Sequence, residues 1–119
     1  MRVAVPRFQE EVAPCFEYSA TIAIFDIRDN EVVDQWDFSL RSDNAFDRLR
    51  LLKDQQVDTL ICGGIQDRFE DMVRAAGIET ISWVAGNVET VLAQYIEGTL
   101  IAGKARLGQG GASFSRKEP

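Results

Sequence analysis

The residues of this chain whose types and spacing can do chemistry are few: Cys15, Cys62, the pair Gly63-Gly64, and the arginines Arg7 and Arg68. Cys15 lies in Ala13-Pro14-Cys15-Phe16-Glu17, a stretch with the character of a loop, where functional residues concentrate. A thiolate there is a ligand for a soft metal; the bland alternative is an unreactive, half-buried thiol. Cys62 closes an apolar run over residues 57–62, which favours a place in the core and makes it the weaker metal candidate. Gly63-Gly64 follows at once and leads toward a helix near Asp67. Two glycines permit close backbone approach, and the free N–H groups of a helix start favour an anion. The same residues also fit a tight strand-to-helix turn with Asp67 as a first-turn charge. Arg7 and Arg68 flank the two segments and can lend positive potential to an anionic ligand, although Arg7 can equally pair with Glu10 or Glu11.

The exclusions are as informative. The sequence has no histidine, which removes Ser-His-Asp triads, Cys-His pairs, HExxH helices and imidazole metal ligation. Two cysteines cannot close a four-cysteine zinc or iron–sulfur site within one chain. In a reducing cytosol they are expected as thiols rather than as a disulfide. No acid–base pair stands out, so enzymatic chemistry is not expected.

These residues must be positioned by the elements around them. Residues 2–5 form a β-branched run that Pro6 is expected to stop, and residues 7–19 read as a loop. Strands are expected over 21–28 and 31–38, joined by Asp29-Asn30 as a tight hairpin turn. In the second of these, Val32, Asp34, Trp36 and Phe38 share a face, the pattern of an edge strand. Helix and strand then alternate. Residues 42–55 carry Ala45, Leu49 and Leu52 on one stripe with Phe46 beside it, and residues 67–76 carry Phe69, Met72, Val73 and Ala76, stopped by Gly77. Strands are expected over 57–62 and 78–84. Asn87 caps a final helix with Val88, Val91, Leu92, Tyr95 and Ile96 on one stripe, ended by Gly98. Trp36 and Trp83 are assigned to packing.

This order predicts an α/β protein of three layers: a mixed five-stranded sheet, order 3-2-1-4-5, with about three helices on its faces, the ribonuclease H-like arrangement. The carboxyl ends of strands one and four then lie together, where connections leave in opposite directions and ligands favour the crevice. Loops 6–19 and 63–67 feed it, and both cysteines border it. Nuclease chemistry on such a fold needs metal-binding carboxylates with one on the first strand. Arg2-Val3-Ala4-Val5 has none, and a nuclease is rejected.

With 119 residues, 45% hydrophobic and 27% charged, the chain suits one domain that folds without metal or disulfide. No apolar run approaches the roughly 18 residues of a membrane span, and the early strand leaves no room for a signal peptide; a cytoplasmic protein away from membranes is expected. The net charge is −6. Lys104, Arg106, Arg116 and Lys117 against Glu118 put +3 on residues 104–119 and leave −9 on the remainder, which disfavours nucleic acid as a partner. Residues 103–119, rich in Gly and Ser and poor in large apolar side chains, are expected as a flexible basic tail on a domain spanning 1–102.

The ordered set RVAVP, VAPCFEYSATIAIFDI, VDTLICGGI, AAGIETISWV and GNVETVLAQYIEGTL resembles the dinitrogenase iron–molybdenum cofactor biosynthesis family, the NifX-type domain also found at the C-terminal end of NifB. The likeness covers about residues 1–102. It implies a ribonuclease H-like fold and a carrier that binds or passes on anionic metal–sulfur clusters or cofactor precursors, related to nitrogen fixation. Where many members read APHFGR, this chain has Ala13-Pro14-Cys15-Phe16-Glu17-Tyr18. Cys15 thus replaces the histidine by a thiol that suits iron and copper, while Glu17 and Tyr18 replace a glycine and an arginine. The resemblance implies an iron–sulfur or molybdenum-containing metal–sulfur cluster at Cys15, cradled by Gly63, Gly64 and the following helix start, with cluster donor or acceptor proteins as partners. The alternative is a metal-free interaction or regulatory module on the same fold.

Overall fold

Apolar side chains alternate between two buried faces along the central strands, and that alternation makes the sheet the middle layer. The computed structural model describes residues 1–102; the tail expected over 103–119 lies outside the described residues. Strand β1 (Arg2–Phe8) sends Val3 and Val5 to one face and Ala4 to the other. Strand β3 (Thr21–Arg28) does the same with Ala23, Phe25 and Ile27 against Ile22 and Ile24. Helices α1 (Phe46–Asp54) and α2 (Asp67–Ala75) cover the Ala4 face with Leu49, Leu52, Phe69 and Val73. Helix α3 (Val88–Glu97) covers the other with Val88, Val91 and Leu92.

The strand order is β4-β3-β1-β5-β6, where β4 is Glu31–Ser39, β5 is Thr59–Ile61 and β6 is Glu79–Ile81. The pairs β4/β3 and β3/β1 are antiparallel, and β1/β5 and β5/β6 are parallel. This is the expected order, with one addition: the two-residue strand β2 (Glu11–Val12) folds back onto β1. Asp29 and Asn30 turn the hairpin with φ of 53° and 65°, the left-handed pair a two-residue hairpin requires. The Asn87 side chain accepts the Thr90 N–H at 3.2 Å, and Gly98 ends α3 at φ 80°. Among the described residues no helix is long and apolar enough to cross a membrane.

Four elements differ from expectation. Pro6 does not stop β1, which runs to Phe8 opposite β3. Its carbonyl accepts the Ala13 N–H at 2.9 Å, and its missing N–H falls on that same side, past the last β1–β5 pair at Ala4 and Leu60, where the ladder asks nothing of it. Helix α1 starts at Phe46 rather than near Ser42, because the Ser42 hydroxyl accepts the Asn44 N–H and the Asn44 side chain accepts the Phe46 N–H, local turns that compete with helix. Strands β5 and β6 are three residues each, shorter than the apolar runs that contain them.

Candidate functional site

Beyond the ends of β1 and β5 the two loops continue side by side. Gly64 N–H donates to the Pro14 carbonyl and Phe16 N–H to the Gly64 carbonyl, each at 2.8 Å, a single parallel bridge between Cys15 and Gly64. The glycines are what let the loops come this close. A Cβ on Gly63 would collide with the Ala13 carbonyl oxygen, and one on Gly64 would lie 2.9 Å from that of Pro14.

Cys15 is half-buried at the start of a short 3-10 turn, Phe16–Tyr18. It stands on a ridge between two clefts. One, of about 450 Å³, is an apolar groove walled by Arg7, Phe8, Ala13, Pro14 and Tyr18. The other, of about 470 Å³, is walled by Glu17, Gly64, Ile65, Gln66, Asp67 and Trp83. Both are in the size range of small-ligand sites. Burial, and then the hydrogen bond to Glu17, push the Cys15 thiol above its ordinary value, so at neutral pH it is a protonated thiol that donates to Glu17 Oε1 at 3.3 Å.

Glu17 is only 3% exposed. Its second oxygen accepts the Gln66 N–H at 2.7 Å, the first residue of the α2 cap. This is the bond a glutamate makes within its own capping box, supplied here from 49 positions away. The positive end of α2 therefore already faces a carboxylate, and Gly64 N–H is spent on Pro14; Asp67 stands in the first turn of α2, as the spacing places it, and also lines the cleft.

The other expected site residues are distributed as follows. Cys62 has no exposed surface and packs in the α1–α2 core; burial, and then the nearby Glu70 carboxylate, hold its thiol protonated far above the ordinary range. Arg7 reaches the groove beside Cys15 but is paired with Asp37 across β3 at 3.1 Å rather than with Glu10 or Glu11. Arg68 lines neither cleft; its guanidinium lies 5.3 Å from the Phe69 ring centroid. Among the described residues no three metal-ligating side chains cluster.

Two further residues shape the site. Trp83, assigned to packing from the sequence, is 38% exposed and lines the Glu17 cleft, with Gly64 under its ring edge. Its backbone is left-handed at φ 61°, costly for a bulky residue, and its N–H is held by the Gly63 carbonyl at 2.9 Å. Arg48 is 3% exposed and donates to the carbonyls of Ser19, Ser42 and Asn44. It ties the end of the Cys15 turn to the start of α1. Neither leaves a periodic signal: Arg48 looks like a surface charge until the fold surrounds it, and Trp83 looks like core until its backbone turns it over the cleft.

The family described as dinitrogenase iron–molybdenum cofactor matches residues 1–98 of the chain. Among solved structures, PH0822 superposes with a TM-score of 0.80 at 22% identity, covering 100% of both chains. MJ0327 from Methanocaldococcus jannaschii gives 0.73 at 22% identity over 84% of this chain and 91% of that one. The apo orange protein of Desulfovibrio gigas gives 0.71 at 17% identity over 86% and 92%. These likenesses establish the three-layer fold. No curated protein matches the chain. From the match over residues 1–98, the chain belongs to the dinitrogenase iron–molybdenum cofactor family.

Proposed function

We propose that this family member is a cytoplasmic carrier rather than an enzyme, one that takes a metal–sulfur cargo of iron–molybdenum cofactor assembly at Cys15 and passes it from a donor to an acceptor protein. The observation that supports this reading is the placing of Cys15: the one thiol with solvent access stands where two ligand-sized clefts meet, at the crevice formed by the β1 and β5 loops. Gly63 and Gly64 hold the crevice in shape, and Arg7 edges the groove; Arg68 stands outside as a secondary contact for cargo or partner. A single protein thiol suits a carrier, since a cargo held by one bond is released by one exchange. Binding replaces the S–H bond by a sulfur–metal bond and sends the proton to solvent.

The exposed rings of Phe8 and Tyr18, 64% and 78% accessible beside the groove, favour a second reading in which the same face docks a protein and holds no metal. Anaerobic purification followed by reconstitution with ferrous iron, sulfide and molybdate separates the two. The carrier reading expects bound metal that Cys15→Ser reduces at least several-fold and Cys62→Ala retains. Metal uptake unaffected by Cys15→Ser, or none in the native chain, would sink it.

A further inference from the structure

Glu17 is a buried carboxylate with no ion-pair partner among the described residues. One oxygen accepts the Gln66 N–H at 2.7 Å and the other lies against the Cys15 thiol at 3.3 Å, so both carboxylate oxygens are engaged. The α2 N-terminus is what compensates it, so that positive end is consumed internally rather than offered to a ligand. The wall of the cleft next to Cys15 is therefore negative, and Asp67 lines the same cleft.

This bears on what Cys15 can hold. When Cys15 gives up its proton, its thiolate stands against the Glu17 carboxylate at the distance of the present hydrogen bond. A cargo that brings uncompensated positive charge on its metal relieves that repulsion. One already surrounded by sulfide, with net negative charge, adds a third anion beside the other two. We infer that Glu17 is a specificity-determining residue that makes the crevice select a thiophilic metal cation over a multiply anionic thiometallate. The inference rests on the carrier reading for Cys15 as the point of attachment and amends its cargo, from a preformed anionic metal–sulfur species to a thiophilic metal cation.

The test uses the full chain under anaerobic conditions and two probes, Cd²⁺ followed by its thiolate charge-transfer absorption and tetrathiomolybdate followed by its visible absorption. Each is titrated into the native chain, Glu17→Gln, Glu17→Gly and Cys15→Ser. Glutamine keeps an oxygen for the Gln66 N–H, and an unchanged unfolding midpoint confirms its fold; glycine removes the charge together with the rest of the side chain. The expected result is that both Glu17 variants bind Cd²⁺ at least tenfold more weakly, and tetrathiomolybdate at least tenfold more tightly, than the native chain, with Cys15→Ser losing both probes. Affinities that ignore Glu17 while still requiring Cys15 overturn the inference and leave the carrier reading standing. Binding that ignores Cys15, or no binding by any variant, overturns both.

Discussion

Cys15 and Cys62 carry the same functional group into opposite environments, and their reactivities should differ accordingly. In the native chain an alkylating reagent is expected to modify Cys15 first and to reach Cys62 only on unfolding, as peptide mass mapping would report. The Cys15 rate should be low at neutral pH and climb into the alkaline range, because burial and Glu17 hold the thiol protonated. Modification of Cys62 ahead of Cys15 would contradict the packing. Cys62 also makes stability depend on pH. Its folded-state pKa is raised above the ordinary 9.0, so the folded chain keeps a proton that the unfolded chain releases. That stabilisation is complete below about pH 9 and is lost as pH rises above it, at about 1.4 kcal/mol per pH unit for one proton. Denaturant unfolding followed from pH 8 upward should bend at about pH 9 and approach this slope above pH 10 in the native chain, and stay flatter in Cys62→Ala.

The elements around the crevice are held by contacts that local sequence does not advertise. Gly63→Ala forces a methyl group against the Ala13 carbonyl, so the β1 and β5 loops must part. A loss of about 1–3 kcal/mol is expected from thermal unfolding, with faster Cys15 alkylation as the loops separate. Arg48 is the other tie. Replacing it by methionine keeps the apolar stem but leaves the buried Ser19 carbonyl without its donor, at a cost of about 2–3 kcal/mol. Ser19 closes the turn that begins after Cys15, so Arg48→Met should also speed Cys15 modification, whereas Asn87→Ala, which removes the side-chain cap of α3 and leaves its backbone bridge to Glu11 in place, should cost about 1 kcal/mol and leave that rate alone. Equal alkylation rates in the two variants would separate Arg48 from the site.

At the scale of the molecule, both cores draw, among the described residues, on positions from Val3 to Leu100, and the family match ends at 98. A chain cut after residue 102 is therefore expected to unfold with the midpoint and cooperativity of the full chain; a lower midpoint would show that residues 103–119 contribute to the fold. The charge balance gives a second expectation. With −6 overall and its positive excess confined to residues 104–119, the chain should not bind duplex DNA or RNA appreciably near physiological salt. Filter binding with the shortened chain checks this, and submicromolar affinity there would overturn it.

What the sequence determined by itself was whatever repeats at a local period. Alternation in residues 21–28 and 31–38, helical stripes at Leu49 and Leu52, Phe69 and Val73, Val88 and Leu92, and the Asp29-Asn30 turn sufficed for the elements. With the first strand placed centrally, right-handed parallel crossovers gave the order β4-β3-β1-β5-β6, which placed the loops holding Cys15 and Gly63-Gly64 at one end of the sheet. Those rules say which segments meet but not what fills the space between them. Pro6 continuing its strand, Glu17 reaching Gln66, Arg48 reaching Ser19 and Trp83 turning over Gly64 were decided by the tertiary structure. The physical reason is the same in each case. A missing donor, a buried charge or a strained backbone is tolerable only when its partner stands beside it, and here those partners lie far off in the chain, 29 residues away for Arg48 and Ser19 and 49 for Glu17 and Gln66.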